Sequence, residues 1–430
     1  MPRAMSCRDE KGQVLPLMLL FLLVLLGILS LVIDGGMAYA QRRYMQNAAD
    51  AATLAGAVLL SKGVSSDAQI ADAAAYYAQA NRATSVTIDY INAQGTIVGH
   101  AGTGSIPGSA TGLRVIASSQ YRPSFAAILG VGSMTVSASA KASVRSQAGN
   151  ATILALSETA CPGFDATGSG TVTANGGNIH VNAHCSQALR QTGSGSLRAV
   201  GGQITVVGGY SKVGSGTATP PPITGAAVIP DPLAALQPPN IGSYPVRHGT
   251  PNDPDTLLIT GSSSTTLAPG VYYGGIKVTG SGNVTLQPGV YIIAGGELTF
   301  TGSGHIIADG VFVYLTNDPW HPSGDGAYAS LEVTGSSGSR FRPMSSGPYA
   351  NLTFFQDRAN TNQAEILGSG DLLGGTCYFP KARLKVAGSG NLVGTAQLIV
   401  DTIELTGSGN ITFTYNADSF YGVPVAVIIE

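Results

Sequence analysis

A short phrase built around Gly-Ser-Gly returns throughout residues 147–430 and constrains the fold more than any other feature of the chain. It reads TGSGTVTANGG at Thr167, TGSGSLRAVGG at Thr192, TGSGNVTLQPGVYIIAGG at Thr279 and TGSGNITF at Thr406. Successive copies most often start about 20 residues apart, and longer steps are expected where a loop is inserted. A fixed period of this length is the signature of a solenoid.

Each copy of the phrase describes one turn of such a solenoid. Gly-Ser-Gly supplies a tight corner, and the residues that follow alternate apolar and polar as in a strand. Because one turn buries its apolar row only against its neighbours, the turns are expected to stack as a right-handed parallel β-helix. An antiparallel sandwich with glycine-rich hairpins is the alternative, but the return of one corner at one period favours the solenoid. A proline-rich insertion at residues 217–256 interrupts the repeat and is expected to cross along the solenoid.

The N-terminal part of the chain has a different character, because residues 14–33 contain no charge. This run fits the ~20 residues that cross a bilayer as a helix and exceeds the ~7–15 apolar residues of a signal peptide. The Ala-Tyr-Ala at residues 38–40 imitates a cleavage site, so a removed signal peptide is the alternative. We expect a retained, single-pass anchor in the cell (inner) membrane. Positions along it are Val14, Leu20, Leu26 and Ile33.

Basic residues lie on both sides of this run, so the charge bias that sets orientation is small. Arg3, Arg8 and Lys11 precede the run, and Arg42 and Arg43 follow it. We expect the short tail in the cytoplasm and the large polar remainder in the periplasm or outside the cell.

Three segments follow from these patterns. Residues 1–62 are expected to form the tail, the membrane helix and an alanine-rich helical extension, which Gly35 and Gly36 would loosen where it leaves the bilayer. In residues 63–146, a helix over 66–81 precedes alternating strands such as VTIDYI and LRVIAS, which predicts a small α+β unit. Residues 147–430 form the repeat domain. The predicted class is mainly β with N-terminal α.

The order of motifs in the first third of the chain resembles a known family. The uncharged run ends in IDGG, YAQRR and QNAADAATLAGA follow, and LRVIAS, SFAAILG and MTVSASAKA complete the pattern. Together they resemble the TadE/TadG-like family of Flp (tight-adherence) pilus-assembly proteins. The resemblance implies a membrane-anchored, pilin-like component whose partners are the lipid bilayer and other pilus-assembly proteins. Its anchor motif comprises Asp34, Gly35, Gly36, Asn47, Ala48, Asp50 and Gly56.

One departure concerns processing of the N-terminus. Precursors cut by prepilin peptidase usually carry Gly, then an aromatic or apolar residue, and Glu at the fifth mature position. Here Gly12 is followed by Gln13, and the fifth residue after Gly12 is Leu17. The sequence therefore favours a retained anchor over a processed pilin subunit.

Composition and cysteine spacing narrow the function classes. Charged residues are 11% of the chain and the net charge is −2, which gives no electrostatic reason to expect nucleic acid as a partner. Cys161 and Cys185 lie in the part expected to be exported, where an oxidising compartment permits a bridge. Unpaired thiols are the alternative, with Cys377 buried as a small hydrophobe. Cys7 precedes the apolar run and is expected to stay reduced.

Some β-helices cleave polysaccharides with carboxylates on one face of the stack, so the acidic residues of the repeat are candidates. Together with two histidines they are Glu297, Asp309, Asp318, Asp325, Glu332, Asp357, Glu365, Asp371, His305 and His321. Acid–base catalysis needs two such groups a few ångström apart, and only Asp309 with Asp318, or Asp318 with His321 and Asp325, are close in sequence. The trio lies in a Pro- and Gly-rich segment typical of a turn. We predict no catalytic, cofactor or metal site.

The prediction is a non-catalytic structural component of Flp-type pilus assembly or surface adhesion. Two rivals use the same scaffold. One is a membrane-tethered polysaccharide lyase or hydrolase. The other is an adhesin that binds surface glycans through the loops at residues 217–256 and 317–330.

Overall fold

The structure is a computed structural model that describes residues 14–62, 64, 66–128, 130–147, 149–335, 338–388 and 390–429. Some of the residues on which the predictions of orientation and processing rest lie outside this range: Arg3, Arg8, Lys11, Gly12 and Gln13. Cys7, which is expected to stay reduced, also lies outside it. The chain divides into two compact units, residues 1–146 with 424–430 and residues 147–423.

Helix α1, Val14–Ser61, contains the apolar run and its extension in one piece. Residues 14–33 are exposed along nearly their whole length, and α1 is long and apolar enough to cross a membrane. The prediction that Gly35 and Gly36 loosen the helix is wrong, because both lie within unbroken helix. The helix continues past both glycines because packing of its alanine face, at Ala48 and Ala52, stabilises the extension.

The rest of the first unit covers that alanine face. Helix α2, Asp67–Ala80, begins after Ser66, whose hydroxyl accepts a hydrogen bond from the Gln69 amide at 3.3 Å. Four strands follow: β1 Ser85–Ile91, β2 Ile97–His100, β3 Gly112–Tyr121 and β4 Met134–Gln147. They form an antiparallel sheet in the order β2-β1-β3-β4. Its inner side chains and the two helices form one apolar core.

The second unit is a parallel β-solenoid, with 24 strands in its described residues. These are β5 Ala151–Ala155, β6 Phe164–Gly168, β7 Thr171–Asn175, β8 Asn178–Val181, β9 Leu189–Gly193, β10 Ser196–Val200, β11 Ile204–Val206, β12 Tyr210–Val213, β13 Thr217–Thr219, β14 Val246–His248, β15 Leu257–Ile259, β16 Thr265–Leu267, β17 Gly270–Val278, β18 Val284–Leu286, β19 Gly289–Phe300, β20 Ile306–Ala308, β21 Val311–Thr316, β22 Ser330–Gly335, β23 Arg340–Phe341, β24 Leu352–Gln356, β25 Ala364–Gly368, β26 Gly370–Gly388, β27 Leu392–Gly407 and β28 Ile411–Thr414. The solenoid predicted from the repeat is confirmed.

A final strand, β29 Val423–Ile428, lies beside β4 in the sheet of the first unit. The Ile429 amide donates to the Lys141 carbonyl at 2.9 Å, just beyond that strand. The sequence-based division instead placed these residues in the repeat domain of residues 147–430. In sequence, the solenoid is therefore an insertion between two strands of the first unit's sheet.

The solenoid is not stacked in chain order. The last strands wound, β27 and β28, pair in parallel with the first ones, β5, β6 and β7. Strands β5 to β13 therefore extend the stack in one direction from this seam, and β14 to β28 extend it in the other. The seam is in register, since Leu398 faces Ile153 and Ile411 faces Val172.

The residues between β13 and β14 carry the chain from one end of the stack back to the other. This strap, residues 220–245, holds part of the proline-rich insertion and bonds to turns along its path. Asn182 exchanges two hydrogen bonds with the backbone of Ile229, and the Tyr378 hydroxyl donates to Asp231 at 2.6 Å. The strap is a packed crossing segment, as its composition predicts.

The interior of the solenoid is apolar and its corners are glycine. Aromatic rings stack between turns, as where Phe354 lies 5.2 Å from Phe341 and 6.1 Å from Phe379 between ring centroids. At the corner, Gly193 has φ +108°, and a Cβ there would lie 2.3 Å from the Gly168 carbonyl oxygen. Positive φ and the close approach of the next turn both require glycine, which explains the recurring Gly-Ser-Gly.

Candidate functional site

The residue that ends the apolar run is held by a loop far away in sequence. Asp34 is only 8% exposed, and its carboxylate accepts hydrogen bonds from three successive amides. Ser124 N–H donates at 2.8 Å, Phe125 N–H at 3.1 Å and Ala126 N–H at 2.6 Å. A buried carboxylate loses hydration, and three N–H donors replace the lost water. The IDGG and SFAAILG motifs are thus two halves of one contact.

The QNAADAATLAGA motif is divided between packing and surface. Ala48, Ala52 and Gly56 are buried, and a Cβ on Gly56 would lie 3.0 Å from a methyl of Leu113 in β3. Asn47 is exposed. Asp50 is half-buried and accepts from the Gln46 amide at 2.9 Å. Small residues let α1 approach the sheet closely, so the motif defines a helix–sheet interface.

Gly35 and Gly36 have a different environment from the rest of the anchor motif. Both are exposed, and a Cβ on either would meet open space. Nothing in the described part of the first unit requires glycine at these two positions, and we find no structural reason for them.

Four of the eight candidate carboxylates of the solenoid contact a Lys or Arg one turn away. Arg340 contacts Asp309 at 2.7 Å, and this guanidinium outweighs burial and lowers the pKa of Asp309. Lys277 contacts Glu297 at 2.9 Å. Burial acts to raise the pKa of Glu297, but hydrogen bonds from Thr299 and Lys277 lower it. Both carboxylates are thus held in the charged form.

The remaining pairs follow the same pattern. Lys385 contacts Glu365 at 3.3 Å, and Arg342 contacts Asp371 at 2.5 Å. Asp357 accepts hydrogen bonds from the hydroxyls of Tyr314 and Thr316. Cross-turn ion pairs of this kind stabilise stacking, and acids tied to cations are poor general acids.

Asp318 and His321 come together, whereas Asp325 does not join them. The Asp318 side chain is fully buried and accepts from the Trp320 amide at 3.0 Å. The His321 Nδ1 lies 3.3 Å from it. Asp325 is exposed in a short 3-10 turn, Gly324–Gly326. Within the described ranges, no group of three His, Cys, Asp or Glu side chains is arranged to hold a metal ion.

A cleft that the sequence did not reveal lies between the strap and the solenoid turns at the seam. It has a volume of about 480 Å³. Its charged lining residues are Glu158, Asp231, Arg358, Lys381 and Asp401. Burial raises the pKa of Asp401, against the opposing effects of Lys381 and Ser157. These residues come from separate stretches that only the seam and the strap bring together, so no spacing in the sequence marks them.

The cysteines fall into two environments. Cys161 and Cys185 form a disulfide that closes a loop of sequence separation 24. Cys377 is free and fully buried inside the solenoid, where burial raises the pKa of its thiol to about 12. His184 contacts Glu158 at 3.3 Å rather than a thiol.

The fold defines a class of protein in which an N-terminal helix, long and apolar enough to span a membrane, packs on a small antiparallel sheet and is followed by a β-solenoid. Residues 12–59 match the family model described as putative Flp pilus-assembly TadE/G-like. The match confirms the resemblance for the span, IDGG and QNAADAATLAGA, and residues 60–146 lie outside it. No curated protein and no solved structure gives a significant match to the chain. The TadE/G-like segment and the solenoid fit a structural role associated with a pilus.

Proposed function

We propose that this protein is a non-catalytic structural component of Flp-type pilus assembly or surface adhesion, held in the membrane by α1. The observation that carries the proposal is the family match over residues 12–59 together with the packing of its motif. Two residues of that motif contact β3 and the loop that follows it: Gly56 lies against Leu113 of β3, and Asp34 binds the Ala126 amide of the loop. The segment therefore works as a folded anchor rather than as a disposable leader.

The exported side is proposed to hold the solenoid. A disulfide between Cys161 and Cys185 suits an oxidising compartment, and disulfides are rare in the cytosol. The solenoid carries few charged side chains, and many of these form ion pairs between turns. This suits a stable scaffold that presents loops. Other pilus-assembly proteins and the bilayer are the proposed partners, and no nucleic acid is expected.

A deletion and complementation experiment tests this function. Removal of the gene should lower pilus number and adherence, and the intact chain should restore both. Gly56→Leu should restore neither, because the larger side chain overlaps Leu113. The matched control is Gly108→Ala, since Gly108 is exposed with open space around it. Unchanged pilus number and adherence in the deletion strain would refute the proposal.

Topology has its own test. Protease added to intact spheroplasts should digest the solenoid. Proteins on the cytoplasmic side of the sealed membrane should stay intact. Protection of the solenoid until the membrane is dissolved would reverse the proposed orientation.

A glycan-binding or glycan-cleaving solenoid is the second candidate, and the cleft at Asp401 is the observation that favours it. Glycosidases use a carboxyl with a raised pKa together with a second carboxylate, and the cleft of Asp401 is also lined by Glu158 and Asp231. The purified full chain should then bind or cleave a glycan, and Asp401→Asn should abolish this while Asp309→Asn does not. Absence of both activities from a broad glycan panel would remove this candidate.

A further inference from the structure

The loop after β3 lies at the membrane end of the first unit. We call residues 122–133 the tip loop; Leu129 within it is outside the described residues. β3 runs antiparallel to α1, because Leu113 at its start lies against Gly56 and Ser124 just past its end binds Asp34. From 34 to 56 the helix rises about 33 Å at 1.5 Å per residue. From 113 to 124 an extended chain covers about 37 Å at 3.4 Å per residue, so the two contacts agree.

The position of Asp34 sets the depth of the tip loop. Residues 14–33 span about 30 Å as a helix, which equals the hydrocarbon thickness of a bilayer. Asp34 follows immediately and binds the backbone of Ser124, Phe125 and Ala126. The loop is therefore fixed where the hydrocarbon core ends and the headgroups begin.

The tip loop exposes apolar side chains at this level. Ile128 is 79% exposed and Val131 is 40% exposed. Isolated exposed apolar residues are common, but these two follow Ala126 in the loop, whose N–H binds Asp34 at the end of the exposed apolar run of α1. Tyr39, 75% exposed one turn further along α1, and Arg122 are the residue types that favour the headgroup layer.

We propose that the tip loop inserts Ile128 and Val131 into the lipid at the boundary of headgroups and acyl chains. It forms a second membrane contact that fixes the tilt and rotation of the first unit about α1. Asp34 is a positioning residue for this contact: its carboxylate holds the loop backbone so that the apolar side chains face the lipid. The occupant of this surface is a lipid bilayer, because the loop is held by Asp34, the residue that directly follows the exposed apolar run of α1. The proposal rests only on the anchoring part of the proposed function.

The test uses the full chain with Cys7→Ala, reconstituted in phosphatidylcholine and phosphatidylglycerol vesicles. A polarity-sensitive fluorophore is attached at Ile128→Cys or, as the matched control, at Gly108→Cys, which lies beyond the opposite end of β3. Nitroxide groups on the lipid acyl chains should quench most of the fluorescence at position 128 and little at 108. Equal quenching at the two positions would overturn the proposal. A second result would also overturn it: fluorescence at position 128 that the nitroxide does not quench but that changes when the protein is diluted with lipid. Such a change indicates that the probe contacts a second copy of the chain.

A second pair of variants tests the role of Asp34. Asp34→Asn should lose much of the quenching at position 128, because one amide oxygen cannot accept from all three N–H groups. Asp50→Asn is the control, since Asp50 accepts a hydrogen bond from the Gln46 side chain, one turn away on the same helix. Equal quenching in the two variants would refute the positioning role. Carbonate extraction shows separately whether the chain stays in the membrane, so loss of the anchor is distinguished from loss of the tip contact.

Discussion

Glu404 and Asp165 are register partners on adjacent parallel strands across the seam of the solenoid. Two carboxylates directly opposite each other repel, and each has a cation from the turn on its far side. Arg190 contacts Asp165 at 2.5 Å, and Arg383 contacts Glu404. The pKa of Arg190 is raised by Asp165 first and by Glu404 as well. The apolar register thus closes the seam, and an ion pair on each side of it neutralises the two carboxylates that face each other across it.

Arg190→Met should destabilise the solenoid because it leaves Asp165, whose side chain is 8% exposed, facing Glu404 without a counter-ion. We expect the free energy of unfolding to fall by about 1–3 kcal/mol. Lys277→Met is the control, since Lys277 and Glu297 are more exposed and should lose less than about 1 kcal/mol. Denaturant unfolding of the detergent-solubilised chain, followed by circular dichroism, measures both. Equal losses would contradict a special role for the seam.

The seam also shows where prediction from the sequence ends. The turn corner at Gly193 is predictable because Gly-Ser-Gly recurs, and inward side chains such as Phe413 follow from alternation. The order of stacking is not predictable in this way. Every turn presents a similar edge, so no local sequence signal specifies that Ile411 pairs with Val172 rather than with a residue of a later turn.

The same limit applies to the anchor. The resemblance predicts that Ala48 belongs to the anchor motif, and Ala48 is buried. It does not predict that Asp34 binds amides at 124–126, because the contact joins a helix to a loop about 90 residues away. Asp401 in the cleft was missed for the same reason, since its neighbours Ser157 and Asp231 are distant in sequence.

Asp67 should make the first unit sensitive to acid. Burial acts to raise its pKa, but N–H groups of Gly102 and Gly104 and the Tyr90 hydroxyl bind the carboxylate and lower the pKa below its usual 3.8. A lowered folded-state pKa gives stability that is fully present above the unfolded pKa. That stability is lost as pH falls through the folded pKa.

Asp67→Asn should therefore lower stability at neutral pH by about 1–3 kcal/mol and flatten the loss of stability below about pH 4. Asp72→Asn, an exposed position on the same helix, is the control and should change neither. Thermal unfolding between pH 2 and 7 measures the difference. A variant that keeps the wild-type acid profile would rule out this role for Asp67.

Arg358 should hold the strap against the solenoid. Its guanidinium donates to the Leu233 carbonyl at 2.6 Å and the Leu236 carbonyl at 2.9 Å, and it lies 5.6 Å from the ring centre of Tyr378. Arg358→Ala removes both bonds and leaves two carbonyls with fewer donors.

Hydrogen exchange by mass spectrometry should show faster exchange in strap peptides over 228–240 in the Arg358→Ala chain. Peptides of β18 and β19 should be unchanged. The control is Arg340→Ala, whose partner Asp309 lies outside the strap. Fast exchange in the strap of the wild-type chain, with no further increase on substitution, would mean that Arg358 does not hold it.

The three cysteines after Cys7 should be protected from thiol reagents in two different ways. In a Cys7→Ala chain, a thiol reagent should label no cysteine under native, non-reducing conditions. Cys161 and Cys185 are joined in a disulfide, and Cys377 is fully buried with the pKa of its thiol raised to about 12. A low thiolate fraction and lack of access both protect Cys377.

Unfolding in denaturant without reductant should expose one thiol, and reduction should raise the count to three. Cys161→Ser should then add one reactive thiol, at Cys185, and lower the free energy of unfolding by about 3 kcal/mol because a loop of separation 24 is released. Reduction of the wild-type chain should cost the same amount, which controls for the substitution itself. Three thiols labelled in denaturant before reduction would show that the bridge does not form. The proposal that the solenoid lies in an oxidising compartment would then lose its support.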